Sequence, residues 1–149
     1  MPEHVSDSSE QRTAEVVILE KTNEDLGLSL VPKQMTLKDS TVVHVDGVDE
    51  ENRVLCEIYA HIGVLKGSQP DKVAADLLKM MLVEADKGGT WRKVFCFADE
   101  DASAKLKERS WLALAASQFG IEIHTIELPK DLQDSVKSAQ ARQEMTNKT

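Results

Sequence analysis

The chain is poor in aromatic residues, cysteine and positive charge, and each shortage removes a class of function. Aromatic residues make up 4% of the 149 positions, which leaves no platform on which single-stranded bases could stack. The two cysteines, Cys56 and Cys96, sit singly inside apolar strand-like runs. They form no CxxC and no Cys/His spacing of a zinc site, so they read as buried free thiols in a reducing compartment. Lys and Arg number 18 against 26 Asp and Glu, a formal net charge of −8. That balance weighs against a broad basic face for nucleic acid and leaves room only for a small local patch. No apolar run approaches the length of a membrane-spanning helix. The start, Met1-Pro2-Glu3-His4, lacks the basic and apolar stretches of a secretory signal, so the expectation is a cytoplasmic protein without membrane contact. A GxGxxG motif, a Walker A loop and a nucleophile elbow are also missing.

What remains is a single α/β domain with hydrophobic content of 41%, long enough to bury a core. Residues 1–13 are polar and acidic and read as a flexible N-terminus, 14–129 as the folded domain, and 130–149 as a polar tail or short helix pinned by Leu132 and Val136. From Ala14 to about Asp25 the pattern is helical, although Val16-Val17-Ile18 leaves a strand open. Gly27 stops it. Leu28 to Leu37 reads as extended, with Pro32 confining it to an edge or a connection. Thr41–Val48 and Arg53–Ile62 form a hairpin around an acidic turn, Asp49-Glu50-Glu51-Asn52. Ser68-Gln69-Pro70-Asp71 opens a helix that carries Val73, Leu77 and Met81 and ends at Gly88-Gly89. Trp91–Asp99 is an interior strand with an unbroken apolar centre. Ala102–Phe119 is a second long helix with Trp111 in its core-facing set, and Ile121–Leu128 a half-buried strand. The succession of strand, helix, strand, helix and strand requires right-handed crossovers, hence a mixed sheet flanked by helices.

Thr41 to Met81 holds the candidate chemistry. Strand alternation puts His44 and Asp46 on one face of the first hairpin strand, and Glu57, Tyr59 and His61 on one face of the second. A turn centred on Glu50-Glu51 sets Asp46 opposite Leu55 and His44 opposite Glu57, which makes Asp46 and Glu57 diagonal neighbours. Two carboxylates held close at a strand centre call for a cation, and oxygen ligands favour Mg²⁺ or Mn²⁺, which activate water and steady a phosphoryl transition state. The bland alternative is that Asp46 opens the turn and Glu57 faces solvent. His61 and His44 are either ligands or general bases near neutral pH, or locally hydrogen-bonded side chains.

This order of elements, with Val45-Asp46-Gly47 ending one central strand and Cys56-Glu57-Ile58-Tyr59 in the next, resembles the core of the PD-(D/E)xK nuclease superfamily, the restriction-endonuclease-like group. The resemblance spans roughly Ala14 to Leu128. It implies a three-layer restriction-endonuclease-like fold, a Mg²⁺- or Mn²⁺-dependent phosphodiester hydrolysis, and DNA or another nucleic acid as partner. It implies Asp46 and Glu57 as the metal-binding acids and a homodimer, for which no interface signal stands out. The chain departs from the family where the motif lysine would stand, because Tyr59 occupies that position. A migrated lysine then falls to Lys72, with Lys79 and Lys66 as weaker candidates, and Gln69, Tyr59 and His61 support substrate or water. Lys72 also reads as one half of a surface pair with Asp76. A first-helix acid is Glu20 or Glu24. The competing reading is a nuclease-like fold without catalysis, serving as an interaction or regulatory module.

Overall fold

The computed structural model describes residues 8–147 and forms three layers. The central layer is a five-stranded sheet in the order β1-β2-β3-β4-β5. Its strands are β1 (Val31–Thr36), β2 (Val42–Asp49), β3 (Val54–Tyr59), β4 (Arg92–Phe97) and β5 (Ile121–Thr125). The pairs β1/β2 and β2/β3 are antiparallel, and β3/β4 and β4/β5 are parallel. The expected α/β class and mixed sheet are therefore present. One face carries α1 (Ser9–Leu26) and α5 (Lys130–Asn147); the other carries α2 (Gln69–Lys87), α3 (Glu100–Lys107) and α4 (Trp111–Gln118). No helix among the described residues is long and apolar enough to cross a membrane.

Side-chain parity divides the core. Val54, Cys56 and Ile58 of β3 and Val94 and Cys96 of β4 pack with Ala14 and Ile18 of α1 and Val136 of α5. Leu55, Tyr59, Phe95 and Phe97 pack under Val73, Leu77, Met80 and Val83 of α2. Every residue of β3 is buried, as expected of a strand covered on both faces. The two cysteines are buried and free, with Sγ atoms 3.9 Å apart.

Three expectations are corrected. The first helix begins at Ser9, with the Ser8 side chain accepting the Gln11 amide at 3.1 Å, so residues 9–13 are helical; residues 1–7 lie outside the described part. The predicted helix over 102–119 is two helices. Ser110 caps the second by accepting the Ala113 N–H, and this break turns Trp111 outward, 70% exposed, instead of into the core. The C-terminal segment is pinned at Val136 and Leu132 as expected, but it is an 18-residue helix rather than a short one, with Ala139 also buried one turn beyond Val136; residues 148–149 lie outside the described part.

Pro32 shapes the region of interest. The β1/β2 register pairs Val31 with Val48 but Lys33 with Val45, leaving Pro32 alone across from Asp46 and Gly47. Two residues opposing one is a β-bulge, and proline, having no N–H to pair, suits that position. Gly47 sits tightly there: a Cβ would come 2.8 Å from Leu19 Cδ1 of α1, so the leucine would have to shift to admit one.

Candidate functional site

The hairpin turn sets the distance between the two acids. Asp49 accepts the Asn52 N–H at 3.0 Å, the Asn52 side-chain amide at 2.9 Å and the Ser29 N–H at 2.9 Å. These bonds hold its carboxyl below the usual range and tie the turn to the α1–β1 connection. Arg53 adopts φ 54 to close the turn. The register is Val48 with Leu55 and Gly47 with Cys56, two residues away from the sequence expectation. Carried on by one pair, it places Asp46 across from Glu57 rather than Leu55.

Backbone pairing of β2 with β3 stops at Gly47–Cys56. Beyond it the Asp46 carboxylate replaces a backbone acceptor: Oδ2 takes the Ile58 N–H at 2.9 Å. The bulge turns Asp46 toward the α1 side, where it lines a groove of about 220 Å³ with Arg12, Glu15, Pro32, His44 and Ile58. Glu57 instead points to the α2 side. The acids therefore do not share one face, as strict alternation predicts; they meet at the gap where the strands part. His44 pairs with Gln34 on β1, and its Nε2 lies 3.8 Å from Asp46 Oδ1.

On the α2 side, Lys79 Nζ stands 2.7 Å from Glu57 Oε1 and 3.7 Å from Asp76 Oδ1. With Asp46 behind Glu57, three carboxyl groups act on one ammonium. Glu57 is 1% exposed. Burial, followed by the charge of Asp46 and a hydrogen bond to it, pushes the Glu57 pKa up to about 10, outweighing the pull of Lys79. Burial and the neighbouring acid thus favour the protonated form of Glu57. Burial also raises Asp76. For Lys79, burial acts downward, but Glu57 and the other acids outweigh it and the net shift is upward. An excess of negative charge in a dry place is held by a proton and one lysine.

Lys72 stands elsewhere. It is exposed, and with Tyr59, His61, Gln69, Gln140 and Glu144 it lines a separate cavity of about 590 Å³ between the β3–α2 connection and α5. Gln69 Oε1 accepts the Lys66 N–H at 3.0 Å and braces the start of α2, while Lys66 pairs with Glu144 at 3.1 Å. His61 stacks on Tyr59 at 5.1 Å and accepts from Gln11 Nε2 at 3.0 Å. The Tyr59 hydroxyl is buried without a partner among the described residues, and burial raises its pKa.

Of the six residues singled out from the sequence, Asp46 and Glu57 come together, and Tyr59, His61, Gln69 and Lys72 line the neighbouring cavity. The lysine beside the acids is Lys79. Asp76 and Glu15, which the sequence pattern does not place in a site, stand respectively next to Lys79 and in the Asp46 groove; Glu20 and Glu24 of α1 are exposed. The one available signal for Asp76 and Lys79 is their spacing with Lys72, at i, i+4 and i+7 along one helix stripe. Among the described residues no group of three or more His, Cys, Asp or Glu side chains is arranged to hold a metal ion. Comparison of the chain with protein-family models, with curated proteins and with solved structures finds no match.

Proposed function

We propose that this protein is a Mg²⁺- or Mn²⁺-dependent nuclease of the PD-(D/E)xK type, hydrolysing phosphodiesters of DNA or another nucleic acid, with Asp46, Glu57 and Lys79 as its working groups. The observation that carries the reading is the Lys79 ammonium 2.7 Å from Glu57 Oε1, beside the gap that Asp46 fills. The lysine missing two positions after Glu57 is thereby supplied from the third turn of α2. A closed metal cage is not needed, since Mg²⁺ is commonly bound by one or two carboxylates with water and substrate phosphate completing the shell. The donor set fits that form: two carboxyl groups that act on each other where β2 and β3 part, the buried one favouring a proton with which a cation would compete. Bound there, the ion would polarise a phosphoryl oxygen and lower the pKa of an attacking water.

The protein's own part comes from its geometry. The Ile58 N–H fixes Asp46 Oδ2 and leaves Oδ1 toward the groove. Lys79 Nζ is placed to orient the attacking water and to offset negative charge growing on the phosphoryl oxygens. Gln69 and Lys72, at the mouth of the adjoining cavity, supply an amide and a cation to the nucleic-acid backbone, a local patch on an acidic molecule.

A second reading, a nuclease-like interaction protein without catalysis, draws on the burial of Glu57, which is closed to solvent. Labelled duplex DNA, single-stranded DNA and RNA incubated with Mg²⁺ or Mn²⁺ distinguish the two. The nuclease reading expects cleavage that EDTA stops and that Glu57→Gln and Lys79→Ala each reduce by about 100-fold or more. Absence of cleavage on all three substrates, or cleavage that survives both substitutions, overturns it in favour of the second.

A further inference from the structure

We propose that the outer face formed by α2 and α4 is a self-association surface that seats a second copy of this chain. The observation is independent of the nuclease reading. Leu78 and Leu82 of α2, Trp111 and Leu114 of α4, and Phe119 just after α4 are exposed by 71%, 47%, 70%, 61% and 52%. They are not scattered. Leu78, Trp111 and Phe119 share the walls of one groove of about 370 Å³ with Ala74, Leu77 and Met81, and among the described residues no charged side chain lines it. Leu114 borders a second hollow against Trp111, and Leu82 lies one turn beyond Leu78.

The size of the patch points to a macromolecular partner. An aromatic side chain covers about 150–250 Å² and a leucine somewhat less, so the five exposed side chains leave roughly 500 Å² of apolar surface together. A monomer seldom carries more than a few hundred square ångström in one patch without a use for it. Two copies placed face to face would remove roughly 1,000 Å², which reaches the lower bound of a specific interface.

The shape and charge point to a second copy. The same face carries an exposed indole, Trp111, that forms one wall of the apolar groove, so a two-fold pairing can set the indole wall of each copy against the groove of the other. Repulsion between molecules of net charge −8 is smallest where the contact itself is uncharged, and the described residues that line the groove carry no charge. At the rim Glu108 and Arg109 stand side by side, so a two-fold pairing can set the acid of one copy against the base of the other.

Sedimentation velocity of the full chain from low to high micromolar concentration tests the proposal, with tryptophan emission read on the same samples. Trp91 is buried beneath Arg53, so a concentration-dependent shift reports Trp111. The expected result is a mass rising from 16.5 kDa toward twice that value, with emission moving to shorter wavelength. Leu78→Glu and Trp111→Lys, on different helices and both at exposed positions, should each weaken association by about tenfold or more with an unchanged unfolding midpoint. A wild-type chain that stays monomeric at every concentration overturns the proposal, as does a dimer that neither substitution weakens.

Discussion

Lys79 Nζ lies 2.7 Å from Glu57 Oε1 although the two residues are on different layers, one on a helix and the other at the centre of a sheet. The contact sets a cation against a fully buried glutamate while two further carboxyl groups, Asp46 and Asp76, press on the same place. An arrangement with so little compensation is costly to a fold, and natural sequences keep such conflicts chiefly where they are used.

The roles of the two lysines separate by substitution. Lys79→Ala should lower metal-dependent cleavage by about 100-fold or more, because it removes the ammonium that stands at Glu57, whereas Lys72→Ala should change it by less than about tenfold and raise KM rather than lower kcat. Steady-state kinetics on both variants checks this. The reverse ranking would return the catalytic role to the exposed lysine.

Stability should fall as pH rises. An unfolded glutamate releases its proton near 4.5, while Glu57 in the folded protein keeps it to about 10. Between those values the folded state binds more protons than the unfolded state, so the stabilisation is complete below the lower value and is lost progressively toward the upper. Asp76, also raised, adds in the same direction. Urea unfolding should show a loss on the order of a few kcal/mol from about pH 5 to about pH 9, most of which disappears in Glu57→Gln. A stability that is flat or rising across this range would mean Glu57 is ionised.

Gly47 tests the packing that aims Asp46. A methyl group there would meet Leu19 Cδ1 at 2.8 Å, Leu30 Cβ at 3.2 Å and Cys56 Cβ at 3.3 Å. Gly47→Ala should cost about 1–3 kcal/mol in chemical denaturation, as overpacking does. A neutral result would show that α1 yields easily at the bulge.

Tyr59 behaves differently from an ordinary buried tyrosine. Its hydroxyl is buried with no partner among the described residues, so Tyr59→Phe removes a desolvated polar group. Thermal and urea unfolding should leave stability unchanged or raise it by up to about 1 kcal/mol. A loss larger than that would reveal a hydrogen bond to bound water or ligand.

Much of this architecture is legible in the sequence, and the parts that are not share a cause. Val94 to Phe97 and Val54 to Tyr59 announce interior strands because both faces are covered, and Pro32 announces an edge because it cannot donate to a ladder. The pairing of Asp46 with Glu57 survives a hairpin register off by two residues, since such a shift preserves parity. The face on which Asp46 lies does not, because the bulge depends on what stands opposite it, and Pro32 is fourteen residues away in sequence. Lys72 and Lys79 lie on one helix stripe, so periodicity treats them alike; which turn of α2 reaches Glu57 is fixed by how residues 60–68 carry the chain over the sheet. Trp111 escapes the periodic pattern because Ser110, a modest helix former in mid-run, acts as an N-cap and rotates the helix it opens.

The most direct test is a calorimetric titration of Mn²⁺ into the wild-type chain and into Glu57→Gln, each in two buffers of different ionisation enthalpy. On the proposed reading a bound metal competes with the proton that burial favours on Glu57, so the wild type should show saturable binding with proton release, tightening as pH rises, and Glu57→Gln should show neither. No saturable binding to the wild type at any pH, or equal binding and proton release in both chains, would contradict a metal-dependent site at Asp46, Glu57 and Lys79.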